Sequence, residues 1–390
     1  MENFEYSVPT KIYFGEGQIK NLGQEINNYG KKILLAYGKG SIKENGIYEA
    51  VVNELVRNNI KFVELSGIKP NPTLDNVQDG IKICRENSIE FILGVGGGSV
   101  IDCIKVIAAG YYYEGDPWDF FVGDVDVDKE LPVGSVLTLS ATGSEMNRNA
   151  VITNEETKQK MPFNNDALKP KFSILDPTYT CTVSAYQTSS GTADIMSHCI
   201  EQYFSSVKNT EIQDRLTEGI LRVCIEFGPV ALREPGNYNA RANLMWASSL
   251  ALNGLLSYGK QGDWATHLIE HKVSALFDLA HGVGLAIITP NWMERVLNKD
   301  TVDKFATYAM NVWNIPSTGD KFSIAKQGIK ATSDFFTTSL KISRTLAQEN
   351  IELNESLLQE MSEDIVNDGT IGNLVKLNKE DVYQILKTSQ

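Results

Sequence analysis

Histidine is the scarcest polar residue of this 390-residue sequence, with four in all. Cysteine is little more abundant. Cys84, Cys103, Cys181, Cys199 and Cys224 are scattered, odd in number and never spaced CxxC, which excludes a disulfide framework and a thiolate zinc site. No apolar run reaches the roughly 18 residues needed to cross a bilayer. The opening segment MENFEYSVPTKIYFG has neither the basic nor the apolar region of a secretory signal, so the cytoplasm is the expected compartment. Positive charge is also short: 36 Lys and Arg face 49 Asp and Glu, giving a net charge of −13 and a pI near 4.9. A surface of that sign repels phosphate backbones and anionic lipid, so neither nucleic acid nor membrane is expected as a partner. The dinucleotide fingerprint GxGxxG is missing from the glycine loops discussed below.

What is present has an order. Up to Pro177, short apolar runs such as KKILLAY (31–37) and EFILGV (90–95) alternate with segments of helical periodicity such as IYEAVVNELVRNN (47–59). Strand and helix in alternation imply crossover connections and a parallel sheet covered on both faces. Beyond LDPTYT (175–180) the pattern turns helical throughout, as in ARANLMWASSLALNGLLSYG (240–259). The expected organisation is an α/β, Rossmann-like domain over residues 1–180 and an all-helical domain over residues 181–390.

Two glycine-bearing loops carry nucleotide chemistry. ILGVGGGSVIDCIKVIAAG (92–110) joins a buried strand to a helix through Gly96, Gly97, Gly98 and Ser99. Adjacent glycines let backbone N–H groups approach an anion closely, and the helix adds its positive end, so a pyrophosphate fits there. A tight turn without a ligand is the plain alternative. After the first long strand, Gly38 and Lys39 stand where an NAD-selective site usually has an acid for the ribose hydroxyls. An open glycine beside a cation suits the 2′-phosphate of NADP rather than NAD. TLSATGSEMNRN (138–149), rich in hydroxyls and small residues, resembles the edge of a nucleotide site.

The histidines are not scattered. Asp194 and His198 are one helical turn apart in TADIMSHC, His267 and His271 repeat the spacing in ATHLIEH, and His281 follows at a loop in LAHGVGLA. Residues four apart project from one helix face and can chelate one ion. Imidazole and carboxylate without thiolate suit Fe²⁺ or Zn²⁺. All five residues are candidate ligands, and spacing alone does not exclude His271. HLIEH also matches the inverted zinc-peptidase motif HxxEH, with Glu270 as general base, but that reading leaves Asp194, His198 and His281 unused. A dehydroquinate-synthase-like lyase would use a similar nucleotide half and metal site, but would need more cations for a phosphorylated substrate. A non-catalytic nucleotide-binding metal sensor is a third alternative.

Taken in order, PTKIYFGEG, the PNPT turn (70–73), GGGSVIDCIK, TLSATGSEMN, SILDPTYT, the DIMSH pair, ATHLIEH and AHGVGLA make the chain resemble the iron-containing (group III) alcohol dehydrogenase family over essentially its full length. Within it the NADPH-dependent butanol dehydrogenases are most similar. The resemblance implies a dehydroquinate synthase-like fold and hydride transfer between NADP(H) and a small primary alcohol or aldehyde such as butanol or butyraldehyde. It also implies a homodimer. It places the metal, Fe²⁺ or alternatively Zn²⁺, on Asp194, His198, His267 and His281, and leaves His271 to handle a proton or position substrate. Cofactor contacts are implied at Gly38, Lys39 and Ser41 near the adenosine ribose, at Gly97, Gly98 and Ser99 on the pyrophosphate, and at Thr138, Thr142, Asn149 and Lys160 toward the nicotinamide.

Overall fold

The apolar runs of the first half fold into one parallel sheet. The computed structural model describes residues 1–123, 125–367 and 369–390. Its strands are β1 (Lys11–Phe14), β2 (Lys32–Tyr37), β3 (Lys61–Leu65), β4 (Phe91–Gly96), β5 (Val133–Leu137), β6 (Asn149–Asn154), β7 (Gln159–Asn164) and β8 (Phe172–Leu175). Six of them are hydrogen-bonded in the order β1-β8-β5-β4-β2-β3, each neighbouring pair parallel, while β6 and β7 form a separate antiparallel hairpin. Helices α1 (Leu22–Ile26), α2 (Ser41–Glu44), α3 (Ile47–Arg57), α4 (Leu74–Asn87), α5 (Gly98–Gly110) and α6 (Asp119–Val122) fall between the strands.

Period-two alternation feeds two cores. Ile33, Leu35 and Tyr37 of β2, with Phe91, Leu93 and Val95 of β4, pack with Val51 and Leu55 of α3. The intervening Leu34, Ala36 and Ile92 pack with Val77 and Ile81 of α4 and Ile104 and Ile107 of α5. Strands buried on both faces need apolar residues at every position, which is why KILLAY and FILGVG read as unbroken runs. Each fully buried Leu, Ile or Val contributes about 1.5–3 kcal/mol. Because the chain leaves β2 toward β3 on one side and β4 toward β5 on the other, the connection reverses between β2 and β4. Ligands of open parallel sheets bind beyond the carboxyl ends of the strands flanking such a reversal. Gly38 follows β2 and Gly97 follows β4 at that place.

The remaining helices are α7 (Ala185–Tyr203), α8 (Glu211–Arg233), α9 (Tyr238–Leu252), α10 (Ala265–Phe277), α11 (His281–Val296), α12 (Val302–Trp313), α13 (Lys321–Asp334), α14 (Glu355–Val366) and α15 (Lys379–Thr388). The chain divides into two compact units. Residues 7–183 and 235–253 form the α/β unit, and residues 1–6, 184–234 and 254–390 the helical unit. Helix α9 thus belongs with the sheet, where Met245 packs on Ile101, Leu137 and Leu175. In the helical unit α7 is central: its residues Thr188 to Tyr203 are all buried, and it packs against α8 and α11. A helix enclosed on all sides shows little amphipathic contrast in sequence. Its start is set by Ser184, whose hydroxyl accepts from the Gln187 N–H at 3.2 Å.

Candidate functional site

The five candidate ligands meet inside the helical unit. Asp194 and His198 project from the enclosed face of α7, and His267 and His271 lie on α10. His281 is the first residue of α11 rather than a loop residue. Asp194, His198, His267 and His271 are buried. Ligand atoms of Asp194, His267 and His281 all lie within 4.8 Å of one another. Asp194 Oδ1 is 3.6 Å from His198 Nδ1 and 3.8 Å from His281 Nε2, and the His198 ring stacks on that of His267 at 4.9 Å between centroids. Donors about 2 Å from one tetrahedral ion stand roughly 3.3 Å apart, so small side-chain shifts close these gaps. His271 stands at the edge, its ring centroid 5.4 Å from that of His281 and 6.3 Å from that of His267.

Two carboxylates outside the five sequence candidates fix the imidazoles, and an oxygen of one of them, Glu270, also lies within 4.8 Å of ligand nitrogens of His271 and His281. Glu201, on α7 and fully buried, lies with Oε1 3.1 Å from His267 Nδ1 and accepts the Thr266 hydroxyl and, at 3.1 Å, the His267 N–H. Its Oε2 accepts the Trp264 N–H at 2.6 Å. Trp264 holds a left-handed backbone (φ 65°) and offers α10 no side-chain cap, so Glu201 caps the helix from another element and places negative charge at its positive end. Glu270, also fully buried, accepts from His281 Nδ1 and from the Ser274 hydroxyl. A Cβ on Gly284 would lie 2.8 Å from Glu270 Cγ, so the glycine makes room for the carboxylate. An Nδ1–H held by a carboxylate leaves Nε2 as a lone-pair donor and raises its basicity. Glu270, the general base of the peptidase reading, is thus committed to a histidine.

The site fits a cation. Among the described residues, His198 Nδ1 and His267 Nε2 are enclosed atoms with no hydrogen-bond partner, the state of a nitrogen whose natural partner is a metal. Burial, with His267 and His281 nearby, holds His198 well below the ordinary imidazole range, keeping it neutral and able to donate a lone pair. Three imidazoles and one carboxylate without thiolate suit Fe²⁺ or Zn²⁺. Behind Glu201, Asp263 accepts the N–H groups of Ala265, Asn373 and Leu374. Burial and the Glu201 charge push it up to about 7.

The α/β unit places Gly38, Gly97 and Thr138 just beyond strand ends of the sheet. Gly38 follows β2, Lys39 is exposed, and Ser41 opens α2. Gly97 caps α5 and Gly98 begins it, and a Cβ on Gly98 would fall 2.2 Å from Thr142 Oγ1. Gly98 therefore admits the second loop against the first. The Ser99 hydroxyl donates to the Pro70 carbonyl of the PNPT turn, a partner the sequence did not reveal. Thr138 follows β5, its N–H donating to Gly96 O at 3.0 Å. Asn149 and Lys160 lie on the β6–β7 hairpin, which is joined to PNPT by Thr153 N–H to Pro72 O at 2.8 Å.

Residues 9–177 match the family described as "Iron-containing alcohol dehydrogenase", and residues 188–390 match "Fe-containing alcohol dehydrogenase family, C-terminal". The chain is 52% identical, over the whole length of both chains, to NADH-dependent butanol dehydrogenase A of Clostridium acetobutylicum. It is 42% identical to the NADPH-dependent aldehyde reductase YqhD of Escherichia coli, with 86% of each chain covered. Among solved structures it resembles NADH-dependent butanol dehydrogenase A of Thermotoga maritima, with a TM-score of 0.94, 40% identity, and 100% and 99% of the two chains covered.

Proposed function

Since the chain belongs to the iron-containing alcohol dehydrogenase family and is an alcohol dehydrogenase or aldehyde reductase of that family, we propose that Asp194, His198, His267 and His281 hold its metal, Fe²⁺ before Zn²⁺. We propose further that its cofactor is NADP(H) rather than NAD(H), and its substrate a small primary alcohol or aldehyde of the butanol and butyraldehyde type. The family resemblance supports a homodimer working in the cytoplasm. In the described residues no helix is long and apolar enough to cross a membrane. The peptidase and lyase readings find no support among these relatives.

The observation that carries the metal assignment is the convergence of Asp194, His267 and His281 from three helices, with two of the imidazoles backed by buried carboxylates. When bound there, a divalent ion supplies Lewis acidity toward the substrate oxygen, and a nicotinamide supplies or accepts hydride. Asp194 contributes the one anionic donor, and Glu201 and Glu270 hold His267 and His281 in the tautomer that presents Nε2. His271, beside the set, would give the product oxygen its proton or receive the one an alcohol loses. On the nucleotide side, Gly38, Lys39 and Ser41 receive the adenosine ribose, Gly97, Gly98 and Ser99 the pyrophosphate, and Thr138, Thr142, Asn149 and Lys160 the nicotinamide half. Residues 1–180 would be the dinucleotide-binding domain and 181–390 the metal-binding domain, with α9 folding back onto the sheet.

The test follows NADPH absorbance with butyraldehyde before and after a strong chelator. Aldehyde-dependent oxidation that stops on chelation and returns with Fe²⁺ supports the reading. Full activity in metal-free protein overturns it.

A further inference from the structure

Helix α5, which begins at the glycine turn, carries a buried carboxyl and a buried amine that the proposed chemistry does not use. Lys105 has no exposed surface, and Asp102 is buried beside it. Lys105 Nζ donates to Ser144 Oγ at 2.8 Å, Asn147 Oδ1 at 3.0 Å and the Asn149 carbonyl at 2.8 Å, which uses all three ammonium protons. Asp102 accepts the Ser144 hydroxyl and, at 3.0 Å, the Val151 N–H. Asn147 spreads the network, its Oδ1 accepting the Asn149 N–H at 2.9 Å and its Nδ2 donating to the Thr142 carbonyl at 3.2 Å. Two α5 residues three positions apart thereby fasten one loop along Thr142 to Val151. The far side of that loop is held by α9: the Ser249 hydroxyl donates to the Glu145 carboxylate, and a Cβ on Gly143 (φ +63°) would lie 2.8 Å from Ser248 O.

An ammonium enclosed in protein is costly, and burial pulls Lys105 down to about 8 against the raising influence of Asp102 and Glu145. A fully satisfied network of this kind fixes one geometry at low dielectric. Here the geometry set is that of Thr142, which lies against Gly98, and of Asn149.

We propose that Lys105, acting with Asp102 and Ser144, is a positioning residue that locks the 138–149 loop against the glycine turn and so sets affinity for the nicotinamide half of the dinucleotide without touching it. The proposal rests on the cofactor placement given above. Structural filler would behave differently, loosening the whole unit and weakening both ends of the cofactor alike.

The experiment is equilibrium titration of wild type, Lys105→Met and Ser144→Ala with four probes. NADPH and NADH report the whole dinucleotide, and adenosine 2′,5′-bisphosphate and 5′-AMP report the adenosine end. Lys105→Met is expected to weaken the better dinucleotide by about tenfold or more and Ser144→Ala by about threefold. The better adenosine probe should stay within about twofold, and metal content should match wild type. Unchanged dinucleotide affinity in both variants, or an equal loss for both probe classes, overturns the proposal. Should Lys105→Met fail to fold, Ser144→Ala decides by the same criterion. A wild-type protein that bound neither dinucleotide would overturn the proposed function, and this inference with it.

Discussion

Glu201 Oε1 stands 3.1 Å from His267 Nδ1 and takes the backbone N–H of the same residue at the same distance. One carboxylate therefore sets both the tautomer of the imidazole and the start of the helix that carries it. Glu201→Gln keeps the shape but removes the charge, and leaves a nitrogen facing either Trp264 N–H or the His267 contacts. Loss of such an outer partner lowers metal affinity by about 10–100-fold. Competition with a graded chelator series, read by metal analysis, should show that loss. Wild-type retention would mean the contact is incidental.

Gly284 is the counterpart on the Glu270 side. Gly284→Ala would place a methyl 2.8 Å from Glu270 Cγ, forcing the carboxylate off His281. We expect a stability loss of about 1–3 kcal/mol together with weaker metal retention, measured by denaturation of the metal-loaded and metal-stripped protein. The difference in stability between those two states should shrink.

His271 is buried beside the proposed ligands. If it handles the proton, His271→Phe should cut turnover by about a hundredfold while metal stoichiometry stays at the wild-type value. Metal loss equal to that of His267→Ala would instead make His271 a ligand.

Cofactor choice is expected to turn on Gly38. The nearby Glu64 carboxylate is engaged by the Tyr37 and Tyr48 hydroxyls and lies 3.6 Å from Lys43. A Cβ at Gly38 meets nothing nearer than Ile68 O at 3.5 Å, so a side chain is accommodated. Gly38→Asp should shift the ratio of kcat/KM for NADPH over NADH toward NADH by about tenfold or more, through repulsion of the 2′-phosphate. An unchanged ratio would remove Gly38 from the selectivity determinant.

Lys105 gives the protein a pH signature. Its value in the folded state, about 8, lies below the ordinary 10.5, so folding favours the neutral amine. The stability this contributes is complete above pH 10.5 and is lost as pH falls through about 8, a span worth about 3 kcal/mol. Urea denaturation of wild type and Lys105→Met at pH 7.5 and 10 should show the advantage of the wild type growing at the higher pH. Parallel behaviour would mean that folding does not lower the Lys105 pKa.

Much of the site could be read from spacing, because an i,i+4 pair of ligands on a helix needs no tertiary information to share a face. Glu201 was also within reach, lying seven residues after Asp194 and three after His198 on the same helix face, but a carboxylate at helical spacing is ordinarily solvated and carried no separate signal. Glu270 was visible in HLIEH yet open to a hydrolytic role, since sequence does not say which imidazole a glutamate meets. Lys105 lay in plain view as a cation within VIDCIKVIAA, but its partners sit 39 to 44 residues away.

Periodicity within single segments is enough to read the alternation that builds the sheet, the helical second half and the pairing of ligands turn by turn. Which histidine nitrogen faces the shared point, that His281 opens a helix, that α9 joins the sheet, and which carboxylates stand behind the ligands are outcomes of the assembled fold. Those outcomes depend on the meeting of segments far apart in the chain, where packing and the cost of burying an unpaired charge select one arrangement.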